Sequence, residues 1–343
     1  MAQIQGGPAI PVSVVTGGKI KGGKAIPVYG YTSTPTDGRR AAAGPARPVY
    51  VVSDAQMAAG TFTLEGGPAL PMYVSASGLS VVGDAAQPVY VVGGSLGGAF
   101  TPASVAGLVA WYDFSDAATL FTDSARTTLV TADGNEILGV TDKSGNARHL
   151  QGLSAGNGFT YKTGIQNGKS VGLSDGVDDL LWSTFASTIA PSQFYAICVI
   201  DIVGALPANG VAISLRRSTD SNPIHTILAE SSWKVRHRND AGTLRTIDSG
   251  NTSAAVAILE YVWDGSNVDL WRNGSSIVTP ASATGTTTFD VLALGGYYAP
   301  STGVPKGAYT NANQCEFVFY SSVPSAGDRT LLRNYLNTKW AVY

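Results

Sequence analysis

Charge is scarce in this chain: Asp, Glu, Lys and Arg together make up 13% of its 343 residues, about half the share usual in globular proteins. The formal net charge of −2 gives no reason to expect nucleic acid or a membrane surface as partner. Glutamate is rare, with only Glu65, Glu136, Glu230, Glu260 and Glu316. No two of them fall in one strand at i and i+2, the placement that would aim a general acid and a nucleophile at one glycosidic bond. Asp178 and Asp179 are adjacent, so in a strand they point to opposite faces. His149, His225 and His237 are scattered, and there is no CxxC, phosphate loop or nucleophilic serine motif. The expectation is a chain that is not an enzyme. Long apolar runs are missing too: the most apolar stretch, residues 194–206, is interrupted by Asp201 and Gly204 and is too short to span a bilayer. The opening MAQIQGGPAIPV has no basic segment followed by an apolar one, so synthesis in a cytoplasm without a secretory leader is expected. The two cysteines, Cys198 and Cys315, sit in expected strands as buried free thiols. A bond between them is the alternative, should those strands be neighbours.

What the chain has in quantity is glycine, 41 residues of it, and a phrase written five times. It reads GPAIPVSVV at 7–15, GKAIPVYGY at 23–31, GPARPVYVV at 44–52, GPALPMYVS at 67–75 and DAAQPVYVV at 84–92. Each copy is a small-residue lead, a proline (Pro11, Pro27, Pro48, Pro71, Pro88), then a β-branched and aromatic run that includes Tyr50, Tyr73 and Tyr90 in the last three copies. Proline can start a strand or sit on an edge but cannot donate to a ladder, and the run after it favours strand. Five short strands with rigid starts are therefore expected. Strands this short bury little by themselves, so stacking on neighbouring copies or on another protein is expected. The uneven spacing of the prolines argues against a solenoid of fixed period. Residues 1–52 carry Lys19, Lys21, Lys24, Arg39, Arg40 and Arg47 against Asp37 alone, a basic stretch that suits an acidic protein surface or packaged nucleic acid, and equally simple solvation.

Residues 94–103, GSLGGAFTPA, read as a flexible linker. Beyond it short strands recur between turn signals: 107–114, two strands around Asp175-Gly176 within 171–181, then 194–202, 211–215, 224–228 and 233–238. Asp264-Gly265 and Asn273-Gly274 mark hairpins after 258–263 and 268–272, because such pairs adopt the turn whose twist matches the strands. Residues 291–295 and 316–320 complete a sandwich pattern. A single helix closes the chain, with Ser325 as its cap, Asp328 in capping-box position, and Leu331, Leu332, Tyr335 and Leu336 recurring on one face.

Three phrases carry a likeness to a known family: GLVAWYDFSDAATL with VTDKSGNARHL, then GKSVGLSDGVDDLL, then YVWDGSNVDLWRNG, followed by LALGG, EFVFY and RTLLRNYLNTKW. In that order they resemble the laminin-G-like, concanavalin-type jelly-roll domains. The resemblance implies an all-β chain: an attachment arm over 1–93, oligomeric or docked on a partner, and a jelly-roll β-sandwich over 104–343 with one terminal helix. Such domains are frequent in bacterial surface proteins and phage virions, and the repeat arm is similar to N-terminal segments of tailed-phage proteins. The expectation is accordingly a virion structural protein, a head, neck or tail decoration or fibre. It would bind other virion proteins through residues 1–93, form a homo-oligomer with a trimer favoured, and adhere to a host-surface glycan. A bacterial carbohydrate-binding module is the alternative, and a glycan-active enzyme ranks below both.

Sugar binding needs aromatics exposed to stack on a ring face, with a few polar groups beside them. In residues 268–272, Val268 and Leu270 share one face and leave Asp269 and Trp271 on the other, and Tyr297 and Tyr298 follow Gly295-Gly296. Trp271, Tyr297 and Tyr298 are the glycan candidates, against the alternative that a further layer covers them. No cofactor is expected. Many members of the resembled family bind calcium at one rim, which makes Asp133, Asp142 and Asn146 the metal candidates, while turn formation explains the same residues without a metal.

Overall fold

The computed structural model describes residues 100–219, 225–299, 304–305 and 307–343, and the backbone of ten short strands within residues 3–91. It divides into two compact units, residues 1–100 and 101–343.

In the first unit the strands alternate between two five-stranded sheets, and every pairing is parallel. One sheet stacks Gln3–Gln5, Lys19–Gly22, Arg40–Ala43, Phe62–Glu65 and Leu79–Val82. The other stacks Val12–Val14, Val28–Thr32, Val49–Ser53, Met72–Ser75 and Val89–Val91. Each strand pairs with the one two places on, so the chain winds through one turn per two strands. That is a solenoid, and it corrects the expectation drawn from the proline spacing. Uneven spacing does not exclude coiling, because the variable residues fall in the connections while the ladder keeps its register: Tyr29, Tyr50, Tyr73 and Tyr90 are successive Cα partners. The strands pair with one another within this chain, which is a separate matter from stacking on another chain. The five phrase prolines lie outside the described residues, each one position ahead of a strand of the second sheet.

The second unit is a β-sandwich, and the chain is all-β apart from its C-terminal helix. One layer is a ten-stranded sheet. It contains β1 (Leu108–Asp113), β2 (Phe159–Gln166), β3 (Lys169–Asp175), β5 (Phe194–Ile202), β10 (Ala257–Trp263), β11 (Asn267–Arg272) and β13 (Asn311–Tyr320), with shorter pieces at its edges. β13 pairs along one side with β5; its other side is shared by β3 and β1. The opposing nine-stranded sheet runs through β4 (Leu181–Ile189), β12 (Phe289–Leu294), β6 (Val211–Arg216), β7 (His225–Ala229), β8 (Trp233–Arg238) and β9 (Leu244–Asp248).

Alternation fills the space between the layers. Phe194, Ala196, Cys198, Ile200 and Ile202 of β5 meet Ile213 and Leu215 of β6, Ile227 of β7 and Leu292 and Leu294 of β12 in one apolar core, the driving term for the fold. The hairpins at Asp264-Gly265 and Asn273-Gly274 form as expected, joining β10 to β11 and β11 to Ser275–Ser276. Asp175-Gly176 does not make a hairpin. β3 belongs to one sheet and β4 to the other, so this segment crosses between layers. Cys198 and Cys315 lie on adjacent strands, buried and unbonded, with burial pushing the Cys198 thiol up to about 12.

Helix α1 (Ala326–Trp340) starts as its sequence dictates: Ser325 Oγ accepts from Asp328 N and donates to the Asp328 carboxylate. Leu332, Leu336 and Trp340 are its buried residues, whereas Leu331 is exposed, so the apolar face is narrower than the sequence suggests. No helix among the described residues is long and apolar enough to cross a membrane.

Candidate glycan-binding rim

The crossing between β3 and β4 builds a compact acidic turn. Asp175 Oδ1 accepts from Val177 N at 2.7 Å, and Asp179 Oδ2 accepts from Asp175 N at 2.9 Å. This backbone capping folds the segment back on itself. One carboxylate oxygen from each of Asp175, Asp178 and Asp179 lies within 4.8 Å of the others, the one such grouping of His, Cys, Asp or Glu among the described residues. Asp178 and Asp179 are therefore not a strand pair facing opposite ways; they belong to one turn. Asp179 is buried. Burial first, then the charges of Asp175, Asp178 and Glu136, push its carboxyl up to about 7 against the hydrogen bond from Asp175. Glu136 is held in place by Gly156 N at 2.6 Å and Gly158 N at 2.9 Å.

Aromatic side chains stand beside this turn. Trp182, early in β4, stacks on Tyr298 with centroids 4.3 Å apart and planes inclined by 17°. Leu180, Trp182 and Ala293 form a small buried cluster against which Tyr298 and Tyr309 pack. Tyr309 has its hydroxyl pushed up by burial, with the Asp178 charge adding to the effect. Two glycines permit the approach. A Cβ on Gly295, whose φ is +83°, would come 3.1 Å from Asp179 O, and one on Gly296 would come 3.1 Å from Tyr309 Cδ1. The half-buried pair Tyr297 and Tyr298 thus follows a backbone that only glycine allows so close to the acidic turn. The carboxylates of Asp175 and Asp178, which unlike Asp179 are not buried, have oxygens that accept from hydroxyls or hold a cation. They lie near the half-buried Tyr298 ring that packs on the buried Trp182.

The other sequence candidates are placed elsewhere. Trp271 does face away from the core, but the Arg329 guanidinium of α1 covers its ring at 4.4 Å and its Nε1 donates to Asp269 at 2.5 Å. The metal candidates are occupied by protein partners. Asp133 accepts from Thr163 N at 2.7 Å, and the buried Asp142 accepts from Trp111 N, Ser144 N and Arg148 N. Asn146 Nδ2 donates to the carbonyls of Leu108 and Val109. Of these contacts only Asp142–Ser144 is local turn chemistry. Arg148 closes the same loop, and the others tie these loops to distant strands.

Under α1 the outer face of the ten-stranded sheet carries a second set of acids. Glu260 of β10 lies opposite Ile197 of β5, and Glu316 of β13 lies opposite Val199. These positions of β5 face away from the core, so the two glutamates share one face on strands flanking β5. Glu260 accepts from Tyr195 Oη, Arg329 and Arg333. Glu316 accepts from Trp111 Nε1, Tyr335 Oη, Lys339 Nζ and Trp340 Nε1.

No family model and no curated protein matches this chain. Solved structures do. A GH54 α-L-arabinofuranosidase chain matches with a TM-score of 0.50 at 12% identity, over 70% of this chain and 66% of that one. Domain 4 of a GH43 extracellular arabinanase from Geobacillus stearothermophilus, in complex with arabinotriose, matches with a TM-score of 0.45 at 13% identity, over 67% of this chain and 99% of that domain. A Trypanosoma rangeli sialidase matches with a TM-score of 0.44 at 10% identity, over 71% of this chain and 36% of its own. This chain therefore spans about a third of the sialidase and 66% of the arabinofuranosidase. The expectation that the chain is not an enzyme is corrected here. It rested on the absence of two carboxylates within one strand, yet the architecture is shared with a glycoside hydrolase chain, so that absence does not exclude an enzyme. At these identities the likeness shows the fold: residues 101–343 are a β-sandwich of the kind also found in carbohydrate-active proteins.

Proposed function

We propose that residues 101–343 form a glycan-binding module and that the solenoid arm attaches it to a larger assembly, with a phage particle as the setting. The observation that carries the binding reading is the stack of Tyr298 on Trp182 beside the acidic turn at Asp175, Asp178 and Asp179. A pyranose or furanose presents an apolar face to an aromatic ring while its hydroxyls donate to carboxylates, and this rim offers both chemistries within one loop cluster. The β-sandwich shared with an α-L-arabinofuranosidase chain is compatible with a saccharide ligand as a matter of fold only. The attachment reading, with other virion proteins or further copies of the chain as partners, is supported by the arm's five-rung ladder and its basic first half.

A glycan array on the full chain tests the binding reading, followed by calorimetry with Tyr298→Ala and Asp178→Asn. The expected result is binding by the parent and a loss of roughly 10-fold or more in each variant, since one stacking or charge-assisted contact accounts for about 1.4 kcal/mol or more. An array without a hit, or variants that bind as the parent does, overturns it.

A further inference from the structure

The three histidines look scattered in sequence, yet the β7–β8 hairpin sets His225 directly opposite His237. Both rings turn inward and are almost wholly buried, their centroids 4.4 Å apart. Phe194 of β5, Trp263 of β10 and Phe289 of β12 enclose them. One hydroxyl serves both. Tyr261 Oη lies 3.0 Å from His237 Nδ1 and 3.3 Å from His225 Nδ1, and it donates to the Arg236 carbonyl at 3.1 Å.

A phenol has one proton to give. With that proton on the Arg236 carbonyl, each imidazole must donate its own Nδ1–H to the tyrosine oxygen. Both Nε2 atoms are then bare acceptors. His225 Nε2 meets the Thr287 hydroxyl, while His237 Nε2 is buried with no partner. A proton arriving on His237 Nε2 would be a buried, unpaired charge facing another imidazole.

Among the described residues, none beside the pair offsets such a charge. β10 presents Tyr261, β5 Phe194 and β12 Phe289, all uncharged. β9 places Arg245 in register with His237, and on β8 itself Lys234, Arg236 and Arg238 are all basic, with Lys234 engaged by Glu230 and Asp248. Asp240, on the loop leaving β8, is taken up by Thr288 N and Oγ1. Burial holds His237 down to about 4, and burial together with the neighbouring ring holds His225 well below the usual imidazole value.

We propose that the His225–His237 pair is an acid-sensitive latch that holds the β7–β8–β9 edge on the sandwich and releases it on protonation. The edge suits local release. β9 ends its sheet and four of its five residues are exposed, so its own release removes little apolar contact. β7 and β8 instead carry Ile227, Trp233 and Val235 into the core and open only at the cost of that packing, which protonation of the pair must offset. The folded-state value lies below the ordinary 6.5. The open state therefore binds protons that the closed state refuses, and closure weakens as pH falls from 6.5 towards 4.

The test is residue-resolved hydrogen exchange on the full chain across that range, corrected for intrinsic rates, beside the double variant H225N/H237N. Asparagine keeps a neutral donor near each Nδ1–H position and cannot take the proton. In the parent, amides of 233–238 and 244–248 are expected to lose protection by roughly 10-fold or more while β5 and β13 stay protected. The double variant should show no such step. Simultaneous loss across all strands, or the same step in the double variant, overturns the latch. Should the double variant not fold, imidazole NMR on the parent decides: the two rings must titrate together with edge release, and titration near 6.5 with protection intact overturns it.

Discussion

The indole Nε1 of Trp340 donates to the Glu316 carboxylate at 2.9 Å, and Trp111 Nε1 donates to the other oxygen of the same group at 2.7 Å. One side chain of β13 thereby ties the last turn of α1 and the first strand of the sandwich to the same point. Lys339 bridges this carboxylate to Asp113. Removing the carboxylate leaves two indole donors without their acceptor in a buried site and Lys339 with Asp113 in place of two carboxylates. Glu316→Ala is expected to cost about 3–5 kcal/mol, read as a lower urea midpoint with changed near-ultraviolet tryptophan dichroism. A cost below about 1 kcal/mol would show that the cluster is a solvated ion pair instead.

Trp271 and Tyr298 give opposite expectations. With Arg329 stacked over it at 4.4 Å, Trp271 holds the helix, so Trp271→Ala should lower stability by about 1–2 kcal/mol and leave glycan affinity unchanged. Parallel calorimetry and denaturation on the two alanine variants separate the roles. A loss of affinity at Trp271 without a loss of stability would reverse the assignment.

Asp179 predicts a pH dependence of its own. Its carboxyl is raised to about 7 from an ordinary 3.8, so the folded chain keeps a proton that the unfolded chain has released. Stability from this group is present below 3.8 and is lost as pH rises through about 7. Asp179→Asn keeps an acceptor for Asp175 N and removes the charge. In metal-free buffer the variant should match the parent near the lower value and exceed it by about 1–3 kcal/mol above the upper one. A constant difference across the whole range would mean that the carboxyl titrates normally.

Gly172 tests the packing. A Cβ there would stand 2.7 Å from Phe114 Cδ1 and 3.0 Å from Phe159 Cδ2, and these two rings already pack with centroids 5.8 Å apart. Gly172→Ala should destabilise residues 101–343 by about 1–3 kcal/mol, seen as a lowered melting temperature. An unchanged melting temperature would show that the rings can shift without cost.

Local sequence rules recovered most of the sandwich. Asp264-Gly265 and Asn273-Gly274 gave true hairpins, Ser325 with Asp328 gave the helix start, and alternation in β11 gave the correct faces for Val268 and Trp271. What eluded them was long-range. The turn at Asp175-Gly176 has the same dipeptide as a true hairpin, and only the partners of β3 and β4 reveal that it crosses between sheets. Tyr298 and Trp182 are far apart in sequence, and their stacking depends on β4 pairing with β12. The histidine pair had a local signal, two short strands of matching alternation with a tight connection between them. In the arm, attention to proline spacing hid the quantity that matters, the register of the residues after each proline.

That register makes the arm a ruler graduated in whole steps. Each turn contributes one strand to either sheet, and strands within a sheet stand about 4.8 Å apart, so five rungs extend roughly 19 Å. Lengthening a connection leaves this reach unchanged, whereas adding or deleting a complete turn alters it by one strand spacing. Variation in the length of such an arm can therefore be silent in one place and stepwise in another, and residue count alone does not reveal how far the arm extends.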